Sequence, residues 1–134
     1  MTPRDHPIIV AAAVIERSGS FLLTTRPAGT HLAGYWEFPG GKCEAGETPE
    51  QCLARELREE LDVQGEVSRE LFRTNYRYPE RHLELRFFAC AISGEPRPMQ
   101  GQQARWVRRE ELASLQFPPA DEEFVRRLQT PSAK

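Results

Sequence analysis

Residues 8–15 read Ile-Ile-Val-Ala-Ala-Ala-Val-Ile, with no polar position on either alternating face. That pattern predicts a central β-strand covered on both sides. Ser18-Gly19 marks a turn, and Ser20 to Thr25 returns as a second strand. Thr25 to His31 breaks all periodicity and predicts a loop, followed by a short strand at Trp36-Glu37-Phe38. From Pro49 to Leu61 there is no internal Gly or Pro, and Ala, Leu, Glu, Arg and Gln dominate, which predicts a helix. Thr48 and Gln51 stand at capping-box spacing with Pro49 at the first helical position. Asp62, which tolerates the left-handed conformation, is the expected stop. Val63 to Val67 and Leu71 to Tyr78 read as two extended segments, Pro79-Glu80-Arg81 as a turn and Leu83 to Ile92 as a strong strand. Gly94 to Gln103 is a loop and Ala104 to Val107 a short strand. Arg109 to Leu115 and Pro119 to Leu128 read as short helices joined through Phe117-Pro118, with a frayed tail after Gln129. Strands with separate helices indicate an α+β domain.

A length of 134 residues fits one domain, residues 1–134, with an ordered core at about 7–128. The net charge of −2 and the lack of a basic run argue against a nucleic-acid polymer as partner. Cys43, Cys52 and Cys90 show no C-x-x-C spacing, so neither a disulfide framework nor a zinc site is indicated. No signal-peptide pattern opens the chain and no apolar run approaches membrane-span length, so the expected compartment is the cytoplasm, with no membrane partner.

The candidate chemistry sits on the Pro49–Leu61 helix. Glu56, Glu59 and Glu60 are spaced i, i+3 and i+4, so their carboxylates project from one face. A hard cation such as Mg²⁺ would turn their mutual repulsion into coordination. The bland alternative is a solvated face on which Arg55 compensates Glu59. The surrounding spacing decides between them. Gly41, five residues, Glu47, seven residues, then Arg55-Glu56-Leu57-Arg58-Glu59-Glu60-Leu61-Asp62-Val63 resembles the signature of the Nudix hydrolases, G-x5-E-x7-R-E-U-x-E-E-x-G-U with U aliphatic. One position departs: the last Gly of the signature is Asp62 here. His31-Leu32-Ala33-Gly34-Tyr35-Trp36-Glu37-Phe38-Pro39-Gly40-Gly41-Lys42 and Phe117-Pro118-Pro119-Ala120-Asp121 are similar to the MutT branch of that family, and the resemblance spans roughly residues 7 to 128.

The resemblance implies a mixed β-sheet in an α/β/α sandwich. It implies hydrolysis of a nucleoside triphosphate to monophosphate and pyrophosphate, supported by Mg²⁺ with Mn²⁺ as a substitute, by a monomer or weak dimer. Glu56, Glu59 and Glu60, with the backbone of Gly40 and Gly41, are the implied metal ligands, and Glu56 is the candidate to orient or deprotonate water. Glu47 and Arg55 are expected to brace the loop against the helix. Arg26, His31, Glu37, Phe38, Pro39, Gly40, Lys42 and Asp121 are the implied substrate contacts, with Phe38 either a core residue or a base-stacking one. Where the branch often carries a further Glu before the Trp106 strand, this chain has Gln100, with Glu95 as the nearest acid in that loop. Where its 8-oxo-dGTP diphosphatases carry Asn, this chain has Asp121. An ionised Asp121 only accepts hydrogen bonds and would repel guanine O6; a protonated one restores the donor. Asp121 can also be a helix-terminal acid with no contact to a base. The readings are therefore an oxidised-purine triphosphate hydrolase, a hydrolase of CTP or modified pyrimidine triphosphates, and a nucleotide-binding regulator. A dinucleoside polyphosphate or nucleotide-sugar hydrolase is a further one.

Overall fold

Two four-stranded sheets form the middle of the molecule, in a computed structural model that describes residues 7–130. The tail expected to fray lies, from residue 131, outside the described residues. The strands are β1 (Ile8–Val14), β2 (Glu16–Arg17), β3 (Ser20–Thr25), β4 (Trp36–Glu37), β5 (Gly40–Lys42), β6 (Gln64–Tyr78), β7 (Arg81–Ser93) and β8 (Ala104–Arg108). The helices are α1 (Pro49–Leu61) and α2 (Glu122–Gln129), with 3-10 segments at Arg109–Ser114 and Pro119–Asp121. The first sheet runs in the order β5-β1-β7-β6, with β1 and β7 parallel and the other pairs antiparallel. In the second, β3 pairs with β2, β4 and β8, all antiparallel.

The all-apolar β1 segment is dry on both faces because each face feeds a different core. Ala11, Ala13 and Ile15 join Leu22, Phe88 and the buried side of α1, namely Cys52, Leu53, Leu57 and Leu61. Ala12 and Val14 join Phe21, Leu23, Leu85, Phe87, Phe117 and, from α2, Phe124 and Val125. Helices therefore cover the sheets on two sides, and the architecture is a mixed-sheet α+β sandwich.

α1 begins as its residues predict. The Gln51 amide donates to Thr48 Oγ1 at 3.1 Å, and the Thr48 amide donates to Gln51 Oε1 at 3.0 Å. Asp62 closes the helix at φ 57°, ψ 42°, the left-handed cap that the family signature fills with Gly. The last carbonyls of α1 are satisfied from the β7–β8 loop: the Arg97 amide donates to Leu61 O and the Met99 amide to Glu60 O. One expectation is corrected. Residues 64–78 form one strand rather than two segments, because β7 pairs along its whole length across two register shifts, at Val67/Arg69 and Glu70/Phe72. Such bulges break the alternation of side chains without ending the strand. The hairpin is also tighter than expected, since Arg81 already pairs with Tyr78. Among the described residues, no helix is long and apolar enough to cross a membrane.

Candidate active site

Between β5, α1, the tip of the β6–β7 hairpin and the 119–121 turn lies a cavity of about 420 Å³. Its floor exists because two residues lack side chains. A Cβ on Gly40, at φ 153°, would sit 2.0 Å from the Ala11 carbonyl oxygen, and one on Gly41 would sit 2.5 Å from the Glu56 carboxyl. β5 can therefore lie flat on β1 and bring its backbone against the Glu56 carboxyl only with glycine at both places.

Glu56 and Glu60 project from α1 into the cavity wall. The Gly40 amide faces Glu60 Oε1 at 3.4 Å. Burial pushes the Glu60 carboxyl well up, as do the neighbouring Glu56 and the more distant Glu37. Glu56 is also raised, first by burial, while a hydrogen bond from Glu60 and the Arg55 guanidinium oppose that shift. The two acids thus share one wall where burial disfavours a charge on each. Glu59 is placed differently: it is half exposed, turns toward Arg55 at 3.3 Å and does not line the cavity. Among the described residues, the acids form no ready-made group of three in metal-binding arrangement.

Arg55 ties this wall together. Its Nε and Nη2 donate to the two oxygens of Glu47 at 2.6 and 3.0 Å, a bidentate pair. Its Nη1 reaches Glu56 at 3.1 Å, and Nη2 also donates to the Lys42 carbonyl at 3.2 Å. The arginine and its partner hold the glycine loop to α1, which leaves Glu56 fixed. Gln102 is buried and adds a second tie, donating to the Glu60 carbonyl at 3.2 Å and accepting from the Gln100 amide at 2.8 Å.

Arg26, Glu37 and Asp121 also line the cavity. Arg26 Nη1 donates to Glu37 Oε1 at 2.8 Å, and its Nε donates to the His31 carbonyl. Asp121 is buried, and desolvation followed by the Glu37 charge pushes its pKa up to about 8 against the pull of Arg26. Burial thus favours the neutral carboxyl, which can both donate and accept.

Most of the site residues expected from the sequence border this cavity: Arg26, His31, Glu37, Gly40, Gly41, Lys42, Glu56, Glu60 and Asp121. His31 is exposed and meets Tyr78 edge-on at 5.4 Å. Phe38 and Pro39, expected to turn backbone groups toward the substrate, are absent from the cavity lining. Phe38 is buried in the α2-side core against Phe87, Phe117 and Phe124, so its ring faces away from the cavity. Pro39 is buried and its carbonyl accepts from the Ala13 amide at 2.7 Å, which commits it to the sheet. Glu95 pairs with Arg17 at 3.2 Å, away from the cavity lining. Sequence reasoning passed over Tyr78, Arg81 and Leu83, which line the cavity from the β6–β7 hairpin. The one available signal was that an aromatic and an arginine flank the Pro79-Glu80 turn.

Comparison with known proteins agrees with this arrangement. The model of the NUDIX domain family matches residues 10–127. The chain is 41% identical over 128 residues to the 8-oxo-dGTP diphosphatase of Haemophilus influenzae, covering 92% of this chain and 93% of that one. It is 37% identical over 115 residues to the CTP pyrophosphohydrolase of Escherichia coli, covering 85% of each. The solution structure of the E. coli ORF135 protein superposes with a TM-score of 0.79 at 36% identity, covering 89% of this chain and 86% of that one. With a family match over nearly its whole length, and with the signature residues Glu56 and Glu60 lining one cavity and Arg55 tied to Glu56 behind it, the chain belongs to the NUDIX domain family and is a Nudix hydrolase.

Proposed function

We propose that this enzyme hydrolyses nucleoside triphosphates to monophosphate and pyrophosphate, and that it favours an oxidised purine such as 8-oxoguanine. The observation that carries the choice of base is the burial of Asp121 in the cavity that Glu56 and Glu60 also line, which favours its neutral carboxyl. A neutral carboxyl offers one donor and one acceptor. The O6 and N7–H of 8-oxoguanine form a complementary edge, whereas O6 and N7 of ordinary guanine are both acceptors. The mismatch is worth roughly 1–3 kcal/mol, about fivefold to a hundredfold in specificity. The H. influenzae relative carries the same substrate in its name.

Nudix hydrolases use divalent metal ions, and we assign magnesium, with manganese as a substitute. The donor set fits: carboxylates and the backbone oxygen of Gly40 are hard ligands, and burial with the Glu56 charge beside it raises the Glu60 pKa. Glu56 and Glu60, which line the cavity, would hold the ion, and Glu59 would join them only by leaving Arg55. When bound, it would offset the phosphate charge as the P–O bond breaks. Glu56, held by Arg55, is placed to accept the proton of the attacking water. Lys42, exposed at the cavity rim, draws the phosphate chain toward α1, and the Arg26–Glu37 pair keeps Asp121 beside the base.

A panel of 8-oxo-dGTP, dGTP, dATP, dCTP and CTP ranked by kcat/KM tests the reading. Preference for 8-oxo-dGTP over both dGTP and CTP supports it. The second reading is CTP hydrolysis, favoured by the E. coli relative and by the ability of a neutral carboxyl to pair with the N4 donor and N3 acceptor of cytosine; a preference for CTP would establish it in place of the first. Hydrolysis in ¹⁸O-water should give pyrophosphate and monophosphate; orthophosphate and nucleoside diphosphate would refute the reaction itself.

A further inference from the structure

Behind the glycine loop, on the far side from the cavity, two cysteines meet. Cys43 follows β5 directly, with its amide donating to the Ile9 carbonyl at 2.9 Å, and its side chain packs against the α1-side core. Cys52 belongs to that core and has no exposed surface. Cys52 Sγ donates to the carbonyl of Gly41, two residues before Cys43, at 3.5 Å, and the two thiols lie close enough to shift each other's titration. Cys43 is half-buried and lines a surface groove of about 330 Å³ between Pro7, Ile8 and the 44–49 loop, separate from the active-site cavity. The third cysteine, Cys90, has its Sγ on the Phe88 carbonyl.

We propose that Cys43 and Cys52 form a redox-modifiable pair, oxidised to an intramolecular disulfide by small-molecule disulfides of the glutathione type that reach Cys43 through this groove. The exchange balances in two steps. The Cys43 sulfur attacks one sulfur of the small disulfide, losing its proton and releasing one small thiol, which leaves a mixed disulfide on Cys43. The Cys52 sulfur then attacks the Cys43 sulfur, losing its proton and releasing the second small thiol. The protein loses two hydrogens and two electrons, and the small disulfide gains them. Burial holds both thiols up, so the reaction is slow and needs sustained oxidising conditions.

The consequence for the site follows from Gly41. Once oxidised, Cys52 has no hydrogen to donate to the Gly41 carbonyl, and the bridge pulls the residue two places beyond Gly41 onto α1. Gly41 already lies against the Glu56 carboxyl with no room for a Cβ. Displacement there by a fraction of an ångström should lower kcat by about tenfold.

The test incubates the full-length protein with oxidised glutathione, blocks remaining thiols by alkylation, and maps peptides by mass. The expected result is a Cys43–Cys52 linked peptide with Cys90 alkylated, a higher melting temperature, and a fall in kcat that dithiothreitol reverses. Cys43→Ser should keep its basal turnover and lose its sensitivity to the oxidant. A mixed disulfide that stays on Cys43, modification confined to Cys90, or a complete Cys43–Cys52 link with unchanged kcat would each overturn the proposal. The turnover arm rests on the function proposed above. The mapping arm does not, so the failure of one is distinguishable from the failure of the other.

Discussion

At Asp121 a single proton links base choice to stability. The unfolded carboxyl titrates near 3.8 and the folded one at about 8, so the native state holds an extra proton between those values. The stability this confers is complete below 3.8 and is lost as pH rises toward about 8. Asp121→Asn, which keeps a donor and an acceptor but cannot ionise, should leave the ranking of substrates intact and remove that slope. Melting temperatures of variant and wild type should diverge in the variant's favour as pH rises through the window; parallel curves would show that Asp121 is already ionised. Glu60 gives the complementary case, since burial, Glu56 and Glu37 all oppose its charge. Glu60→Gln should cut kcat by about a hundredfold or more while the metal-free variant melts no lower than wild type at neutral pH. Near wild-type turnover with Mg²⁺ would remove Glu60 from the metal site. The sequence names Glu60 through the family signature and Asp121 through the likeness of residues 117–121 to the MutT branch, yet it cannot show that burial and Glu37, distant in the chain, favour a neutral Asp121. Phe38 was ambiguous for the same reason: an aromatic side chain suits a core or a base equally well, and only the packing of Phe87, Phe117 and Phe124 decides.

At the scale of elements, α1 was legible in full because its determinants are local. Its cap, its first-turn proline, its buried stripe and its left-handed exit all lie within a few residues of one another. β6 was not legible as one strand, since what continues it across the bulges is pairing with β7. The junction between α1 and the glycine loop is testable. Hydrogen bonds from Arg55 pull Glu47 down to about 2, so the tie contributes stability above the ordinary value of 4.5 and loses it as pH falls to about 2. Arg55→Lys keeps the charge but not the planar fork that grips both Glu47 oxygens. Its kcat should fall with little change in KM, because Glu56 loses its orientation. The difference in melting temperature from wild type should shrink as pH falls from 4.5 to about 2; a constant difference would mean that the pair does not carry the stability.

Across the whole molecule, the two cores are unequal in what they position. The α1 side holds the acids, while the α2 side holds the turn that presents Asp121. Phe124 is the hinge of the latter, stacked on Phe87 at 4.3 Å and on Phe72 at 5.5 Å. Phe124→Ala should cost about 3–5 kcal/mol in urea unfolding and raise KM more than it lowers kcat, because the base side loosens while the acids stay. The reverse pattern would place Phe124 in support of α1 instead. The two-sided core was readable from the unbroken apolar run of β1, whereas the order of strands was not, because it depends on which distant segments pair.

That order has a further consequence. β1 lies between β5 and β7, and its parallel partner starts with Ile8 opposite Leu83. A chain leaving the ribosome therefore releases its glycine loop and its acidic helix long before the strand that completes their sheet. β5 pairs with β1 and packs against α1, all of which emerge before β7, whereas the β1–β7 pair closes a long loop and is the slower contact. During biosynthesis the reactive wall of β1, β5 and α1 is thus complete in the chain while the β1 edge that β7 will cover is still open.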